Sequence, residues 1–298
     1  MIKFDEITNI WISEKSHYVR SNTIKSYKQN IKKWISPHFG SMNVLDITKE
    51  YIQDFINELS KNHKKETIMN MVKVLKQPLD YAVEKKIIKE TPYKSIKIGG
   101  TGEIKEIKIF TEEEVSKLIN TCKYSVVKDI IILAYRTGMR IGEILALRYD
   151  DINFEQHFLT VKRTLSGYSE NGKLEISDPK TKSSRRRIEL DTVSLEMLIK
   201  RFNCKSDEYV FCKSNGDVYS RQGITQPYKK VCEDANVKYR CFHTLRHTHA
   251  SVLLSKNVHP KIVQERLGHS KISTTMDTYS HLIPGMQKVA VDVFNSIN

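Results

Sequence analysis

Between residues 241 and 281 the chain reads CFHTLRHTHASVLLSKNVHPKIVQERLGHSKISTTMDTYSH, a run that mixes histidines with Arg246, Arg266 and Tyr279. Three kinds of chemistry compete for that mixture. Metal binding is suggested by His243 and His247, which stand four residues apart on one helical face with Cys241 and His249 nearby. The run lacks the glutamate of an HExxH site and any acidic or thiolate third ligand at the usual spacing, and Arg246 would set a positive charge beside the metal. A second reading has ordinary structural histidines bonded to backbone groups. The third is phosphoryl transfer without a metal. A phosphodiester attacked by a hydroxyl passes through a crowded, anionic transition state, so fixed cations and N–H donors must meet its non-bridging oxygens. Arginine suits that task because its planar fork holds two oxygens and stays charged. A tyrosine, with a reference pKa of about 10, can be the nucleophile if surrounding cations help it lose its proton. An acid must then protonate the departing oxygen.

The segments TGMRIGEILALRYDDI, PKTKSSRRRIEL, HTLRHTHAS and LGHSKISTTMDTYSH resemble the four signature regions of the tyrosine recombinase (phage integrase) family, in that family's order and spacing. The resemblance covers the catalytic half by motif and the first half by size and pattern. It implies that Arg140 and Arg246 clamp the scissile phosphate. It implies too that His243 acts on that phosphate and in proton handling, and that His269 hydrogen-bonds it. Tyr279 corresponds to the nucleophile and Glu143 to the acidic position that supports the first arginine. Lys180 corresponds best to the general acid for the leaving 5′ oxygen, with Lys182 close by on the same loop. Arg136 precedes the TGxR turn and is expected on the helix surface. His247, His249 and His281 match neighbours of catalytic positions and are read as structural.

Positioning these groups requires a framework of helices and a few strands. In the second half, Thr111 and Glu114 have capping-box spacing, with Phe110 and Val115 placed as a hydrophobic staple, so a helix is predicted from residue 112. VVKDIIILAYRTGMRIGEILALRYDDI then gives a buried helix, a turn at Thr137 and Gly138, and a second helix from about Ile141. FLTVKRT, KLEIS and RRRIEL alternate as three short strands of one small antiparallel sheet. Helices are predicted over about 192–202, 221–235, 244–255 and 260–267, the last closed by Gly268. The class is mainly α with a small antiparallel β-sheet (α+β).

The first hundred residues carry 18 Lys/Arg against 11 Asp/Glu, a net of +7 out of +14 for all 298 residues. Ile24, Tyr27, Ile31, Trp34 and Ile35 fall on one helical stripe and leave Lys25, Lys28, Lys32 and Lys33 largely off it, so one face is core and another cationic. Apolar stripes recur over residues 52–59 and 68–83, where Pro78 is expected to kink or split the helix. Residues 1–98 are therefore expected to form a small helical domain, which the family resemblance implies is the SAM-like core-binding domain. A glycine-broken linker spans 99–108, and a catalytic domain spans 109–298.

A surface this basic, with pI near 9.4, seeks an anionic partner, and nucleic acid leads. The start lacks a signal-peptide core, and the apolar run at 130–135 is too short to span a bilayer, so the chain reads as cytoplasmic with no membrane role. Five scattered cysteines without a CxxC pair signal neither a disulfide framework nor a thiolate zinc site.

The family resemblance implies a site-specific recombinase that cuts and rejoins double-stranded DNA through a covalent 3′-phosphotyrosyl link, using no cofactor, metal or ATP. It implies two domains clamped around specific core sites, a monomer that becomes a tetramer on DNA, and a Holliday junction. An accessory DNA-bending or directionality factor is a further expected partner. A phage or mobile-element integrase is the first expectation and a Xer-like chromosome-dimer resolvase the second. A non-enzymatic DNA-binding protein is the alternative from a different class. The chain starts almost at once in the core-binding part, either because an arm-binding domain was trimmed or because core sites suffice. A C-terminal amphipathic helix with Val289, Val293 and Ile297 aligned is expected to dock on a neighbouring protomer or on its own domain.

Overall fold

The computed structural model describes residues 1–100, 108–168, 173–179, 182–204 and 207–279, together with Val291 and Asn295. The chain divides into two units, Met1–Lys105 and Glu106–Asn298. Among the described residues no helix is long and apolar enough to cross a membrane.

The first unit is helical: α1 (Phe4–Ser16), α2 (Ser21–Asn30), α3 (Lys49–Asn62) and α4 (Lys65–Glu84). From Asn30 the chain passes directly into a wider π-type winding over Ile31–Gly40, which buries Ile31, Ile35 and Phe39 at a uniform spacing of four. Lys28, Lys32 and Lys33 lie on the exposed side, Lys25 is half-buried, and the Lys33 ammonium sits 4.5 Å over the Trp34 ring. Phe4, Ile7, Ile35, Ile52, Ile56, Ile68 and Leu79 close the core. Of the two outcomes expected at Pro78, a split does not occur: α4 runs unbroken through it. Its ring is itself buried between Leu75, Leu79 and Ala82, which face the same core. Burying each leucine contributes about 1.5–3 kcal/mol, enough to offset the roughly 3 kcal/mol that a mid-helix proline costs.

In the second unit, α5 (Glu112–Thr121) starts with the capping box as read: Thr111 Oγ1 accepts from the Glu114 amide and Glu114 Oε2 from the Thr111 amide. Phe110 and Val115 are buried beside it. The central helix α6 (Ser125–Thr137) buries Ile130, Ile131, Leu133 and Ala134 and stops at Gly138, whose φ of +67° closes it as a left-handed cap. The short α7 (Ile141–Leu145) follows.

The strands form two sheets rather than one. β1 (Ile152–Asn153), β2 (Phe158–Val161) and β5 (Arg186–Glu189) make an antiparallel sheet in the order β1-β2-β5, while β3 (Thr164–Tyr168) and β4 (Leu174–Ser177) pair apart from them. The expected strand FLTVKRT breaks at Lys162 and Arg163. Both side chains turn to the buried Asp151 carboxylate, at 3.1 and 2.7 Å, and that shared ion pair takes the backbone out of the ladder.

The remaining helices are α8 (Thr192–Asn203), α9 (Arg221–Asp234), α10 (His243–Ser255), α11 (Pro260–Leu267) and α12 (Ile272–Tyr279), the last not foreseen from the sequence. Helix α10 packs on α6, α11 and α12. A separate small core of Ala250, Leu254, Val263, Leu267 and Tyr279 joins the last three helices. The expected C-terminal helix positions Val289, Val293 and Ile297 lie outside the described residues.

Candidate active site

Gly138 brings α6 up against α10. A Cβ on it would lie 2.7 Å from His249 Cδ2 and 2.8 Å from Leu267 Cδ2, so only glycine combines this positive φ with this approach. The turn delivers Arg140 to the N-cap of α7, its side chain half-exposed. Glu143, one turn on, accepts from the Arg140 amide at 3.0 Å and from its Nη1 at 2.9 Å. The same carboxylate is gripped from the far side by Arg186 of β5, at 3.2 Å from Nη1 and 2.8 Å from Nη2. Burial pushes the Glu143 carboxyl up, but the charge and hydrogen bonds of Arg186, then those of Arg140, outweigh it and hold it at about 2.

Helix α10 supplies the second arginine from its buried face. The Arg246 side chain, with only 2% of the residue exposed, donates from Nη1 to the Gly138 carbonyl at 2.7 Å and from Nη2 to the Leu267 carbonyl at 2.6 Å. The guanidinium is therefore fixed by the C-terminal ends of two helices, α6 and α11, where carbonyls lack intrahelical partners. Burial, then the neighbouring Arg140 and Arg186, push it down to about 9. It stays charged at neutral pH.

The turn after Gly268, at φ +69°, presents His269, whose Nδ1 lies 2.9 Å from Thr275 Oγ1. Burial, then the charges of Arg246, Arg140 and Arg186, lower His269 to about 4. His243 is likewise lowered to about 4 by burial, then by His247, Arg246 and Arg140. Arg246 bridges the Gly138 and Leu267 carbonyls, two residues before Arg140 and His269 respectively, and His243 lies one turn before it on α10, so the four groups surround one space. Tyr279 ends α12 beside it, 1% exposed, its phenol pushed up to about 12 by burial against the lowering pull of Arg246. Its Oη lies 2.5 Å from His247 Nδ1, and the His247 ring in turn meets His243 edge to face at 4.8 Å.

Five of the six residues singled out for chemistry are thus gathered in one place, and the sixth is not described. Lys180 lies outside the described residues; Lys182 begins a single 3-10 turn, Lys182–Ser184. Lys25, Lys28, Lys32 and Lys33 belong to the other unit. Arg136 does sit at the surface end of α6, paired with Asp191 at 2.5 Å. His249 is structural: its Nδ1 meets the Tyr135 carbonyl at 2.7 Å and its Nε2 receives Arg266 Nε at 3.2 Å. Among the described residues no group of three or more His, Cys, Asp or Glu could hold a metal.

Sequence reasoning missed Arg186 and Arg266, and it did not foresee the contact between His247 and Tyr279. Arg186 shares the inward face of β5 with the buried Ile188, a period-2 signal that was there to be read in RRRIEL. Arg266 donates to the Glu189 and Arg136 carbonyls at 3.1 and 3.0 Å and gives its own carbonyl to Arg186 Nε at 2.7 Å. It ties the sheet to α6 and α11, and no local pattern marks it.

Among the described residues the arrangement is a cluster of three guanidiniums and neutral imidazoles with a single carboxylate, Glu143, and a buried phenol at its edge. Residues 108–285 match the model of the phage integrase family, and residues 3–60 match that of the phage integrase N-terminal SAM-like domain. A tyrosine recombinase XerC-like protein of Caldanaerobacter subterraneus subsp. tengcongensis is 31% identical over 99% of this chain and 83% of its own length. The solved integrase of transposon Tn1549, in complex with a circular intermediate DNA, superposes with a TM-score of 0.83 at 18% identity, over 99% of this chain and 100% of that one. A lambda integrase from a tetramer bound to a Holliday junction does so with a TM-score of 0.71 at 18% identity, over 93% and 77%. The chain belongs to the phage integrase family, the tyrosine recombinases. It is a site-specific recombinase of α+β fold.

Proposed function

We propose that this protein breaks and rejoins double-stranded DNA at specific core sites, with Tyr279 as nucleophile and Arg140 and Arg246 as the clamp on the scissile phosphate. The observation that carries this reading is the convergence of Arg140, Arg246, His243 and His269 on a space that holds more positive charge than Glu143, its one carboxylate among the described residues, can balance, with the Tyr279 phenol beside it. A phosphodiester supplies the missing anion. Arg246 is oriented by two carbonyls before DNA arrives, so little reorganisation accompanies charge development in the transition state. His243 and His269, held neutral, offer N–H donors to the non-bridging oxygens, and Glu143 supports Arg140. Lys180, or Lys182 on the same loop, protonates the leaving 5′ oxygen.

The attack forms a 3′-phosphotyrosyl bond and releases a 5′-hydroxyl, and the reverse attack by another strand's 5′-hydroxyl rejoins the DNA with no external energy. The core-binding domain, residues 1–98 followed by a linker at 99–108, holds the core site through phosphate contacts from Lys25, Lys28, Lys32 and Lys33, which makes binding salt-dependent. Residues 109–298 carry the chemistry. Four copies assemble on two sites through a Holliday junction in the cytoplasm, with an accessory DNA-bending or directionality factor as a further partner. Integration or excision of a phage or mobile element is the role supported by the fold shared with a transposon integrase. The Xer-like relative favours chromosome-dimer resolution as the second reading.

A nicked suicide duplex tests the chemistry: the wild-type protein is expected to form a denaturation-resistant adduct whose phosphotyrosyl peptide contains Tyr279. Tyr279→Phe keeps the ring in its small core, binds the same DNA and forms no adduct. An adduct on another tyrosine, or one that persists in Tyr279→Phe, refutes the assignment.

A further inference from the structure

The closest polar contact to the phenol comes from a residue that none of the four signature regions assigns to the chemistry. His247 lies one helical turn beyond His243 on α10, and its Nδ1 is 2.5 Å from Tyr279 Oη, with the two rings 5.7 Å apart at 57°. Among the described residues that hydroxyl meets no backbone group and no carboxylate, so its hydrogen bond runs to the imidazole. The geometry points to His247 as the group that accepts the Tyr279 proton during cleavage and returns it during rejoining, an inference that rests on Tyr279 being the nucleophile.

The chemistry follows from the arrangement. A phenol raised to about 12 by burial does not ionise by itself at neutral pH, so its proton must move as the new bond forms. Burial, then the charge of Arg246, lowers His247 below its ordinary value, so the ring is neutral and able to accept. The tautomer that performs the step carries its proton on Nε2 and presents the lone pair of Nδ1 to the phenol. As the Tyr279 O–H bond breaks, an Nδ1–H bond forms. The phenolate oxygen bonds to phosphorus, and the P–O5′ bond breaks, its electron pair leaving on the 5′ oxygen, which takes a proton from the lysine acid. In the reverse direction the imidazolium returns its proton to the departing phenolate. The groups that face His247 are His243 and Arg246 on its own helix and Tyr279 on α12. On the side of α11, His269 is influenced by His243 rather than facing His247 directly; α6 meets α10 through His249.

His243 is assigned to the phosphate oxygens, so the two histidines of HTLRH divide the work: one meets the electrophile and the other the nucleophile. The edge-to-face contact at 4.8 Å holds the pair in register. When a phosphodiester anion enters beside Arg246, its negative charge offsets the guanidinium that depresses His247. The base therefore strengthens when substrate is bound.

The test uses the full chain and a nicked suicide duplex built on the junction at which the protein recombines in cells. His247→Asn places an amide oxygen where Nδ1 stood, so it can hold the phenol but cannot take its proton; His247→Phe keeps ring contact with His243 and removes the acceptor. Both are expected to keep wild-type DNA affinity and to cleave on the order of 10²-fold more slowly or worse, the usual range for loss of a general base. Their rates should climb with pH through the alkaline range where the wild-type rate has levelled off. A 5′-bridging phosphorothiolate, whose leaving group needs no proton, should not rescue them, whereas it should rescue Lys180→Ala or Lys182→Ala. The inference is overturned if His247→Asn cleaves at the wild-type rate with an unchanged pH profile, which would make His247 a positioning residue only. It is also overturned if the phosphorothiolate restores the variants, which would place His247 at the leaving group. Absence of any adduct in the wild-type protein would instead overturn the nucleophile assignment itself. If one variant fails to fold, the other still reads the pH profile.

Discussion

Replacing Glu143 by glutamine tests the electrostatic centre of the site. The carboxylate is 3% exposed and its partner Arg186 5%, and it accepts four hydrogen bonds, two from Arg186 and two from Arg140. Glutamine keeps the shape and one acceptor oxygen. Its amide nitrogen, however, must face a guanidinium N–H, and the buried positive charge of Arg186 loses its counter-charge. Removing one member of a buried pair costs about 3–5 kcal/mol. At roughly 2–4 °C per kcal/mol for a domain of this size, the melting transition of the second unit should fall by about 6–20 °C. Cleavage should fall as well, because Arg140 is held in place by the same carboxylate. The double variant Glu143→Met with Arg186→Met separates the two effects, since exchanging a whole buried pair for apolar side chains is often neutral or stabilising. It should regain most of the stability and none of the activity. Calorimetry and urea titration with the suicide-cleavage assay read both quantities. A Glu143→Gln protein within about 1 kcal/mol of wild type, or a double variant that cleaves normally, would refute the reasoning.

Arg140→Lys and Arg246→Lys keep the charge but lose the two-pronged grip, and each should slow cleavage about 10²-fold or more in single-turnover rates. Arg246→Lys should also lower the urea midpoint, because one ammonium cannot reach both the Gly138 and Leu267 carbonyls, whereas the half-exposed Arg140 should affect stability less. Stability should depend on pH through the histidines. His243 and His269 near 4 and His249 near 3 sit below the ordinary imidazole value, so the unfolded chain binds more protons between about pH 6.5 and 4. Their contribution is complete above that window and is lost as pH falls through it; a urea midpoint that stays flat from pH 7 to 5 would contradict the burial of these rings. Gly138→Ala should destabilise by about 2 kcal/mol or more, through the strained φ of +67° and the clash with His249 and Leu267, as measured by urea titration.

Local spacing already determined much of this protein. The Thr111–Glu114 cap, the Gly138 and Gly268 helix ends and the placement of Arg140 at the start of α7 each depend on residues within one or two turns. For the same reason the motifs around Arg246, His269 and Tyr279 could be read directly, because the family's spacing marks each one. The tertiary structure alone decided which partners these groups meet. Glu143 holds Arg186 from 43 positions away, Arg246 is clamped by a carbonyl 108 positions away, and Tyr279 meets His247 across 32. Pro78 stays within its helix because its neighbours are buried, and FLTVKRT breaks into two sheets because Asp151 draws Lys162 and Arg163 aside. Periodicity reports which face of an element is apolar. It carries no record of which buried charge on one element will find its counterpart on another, because that pairing is set by packing and desolvation once the elements have come together.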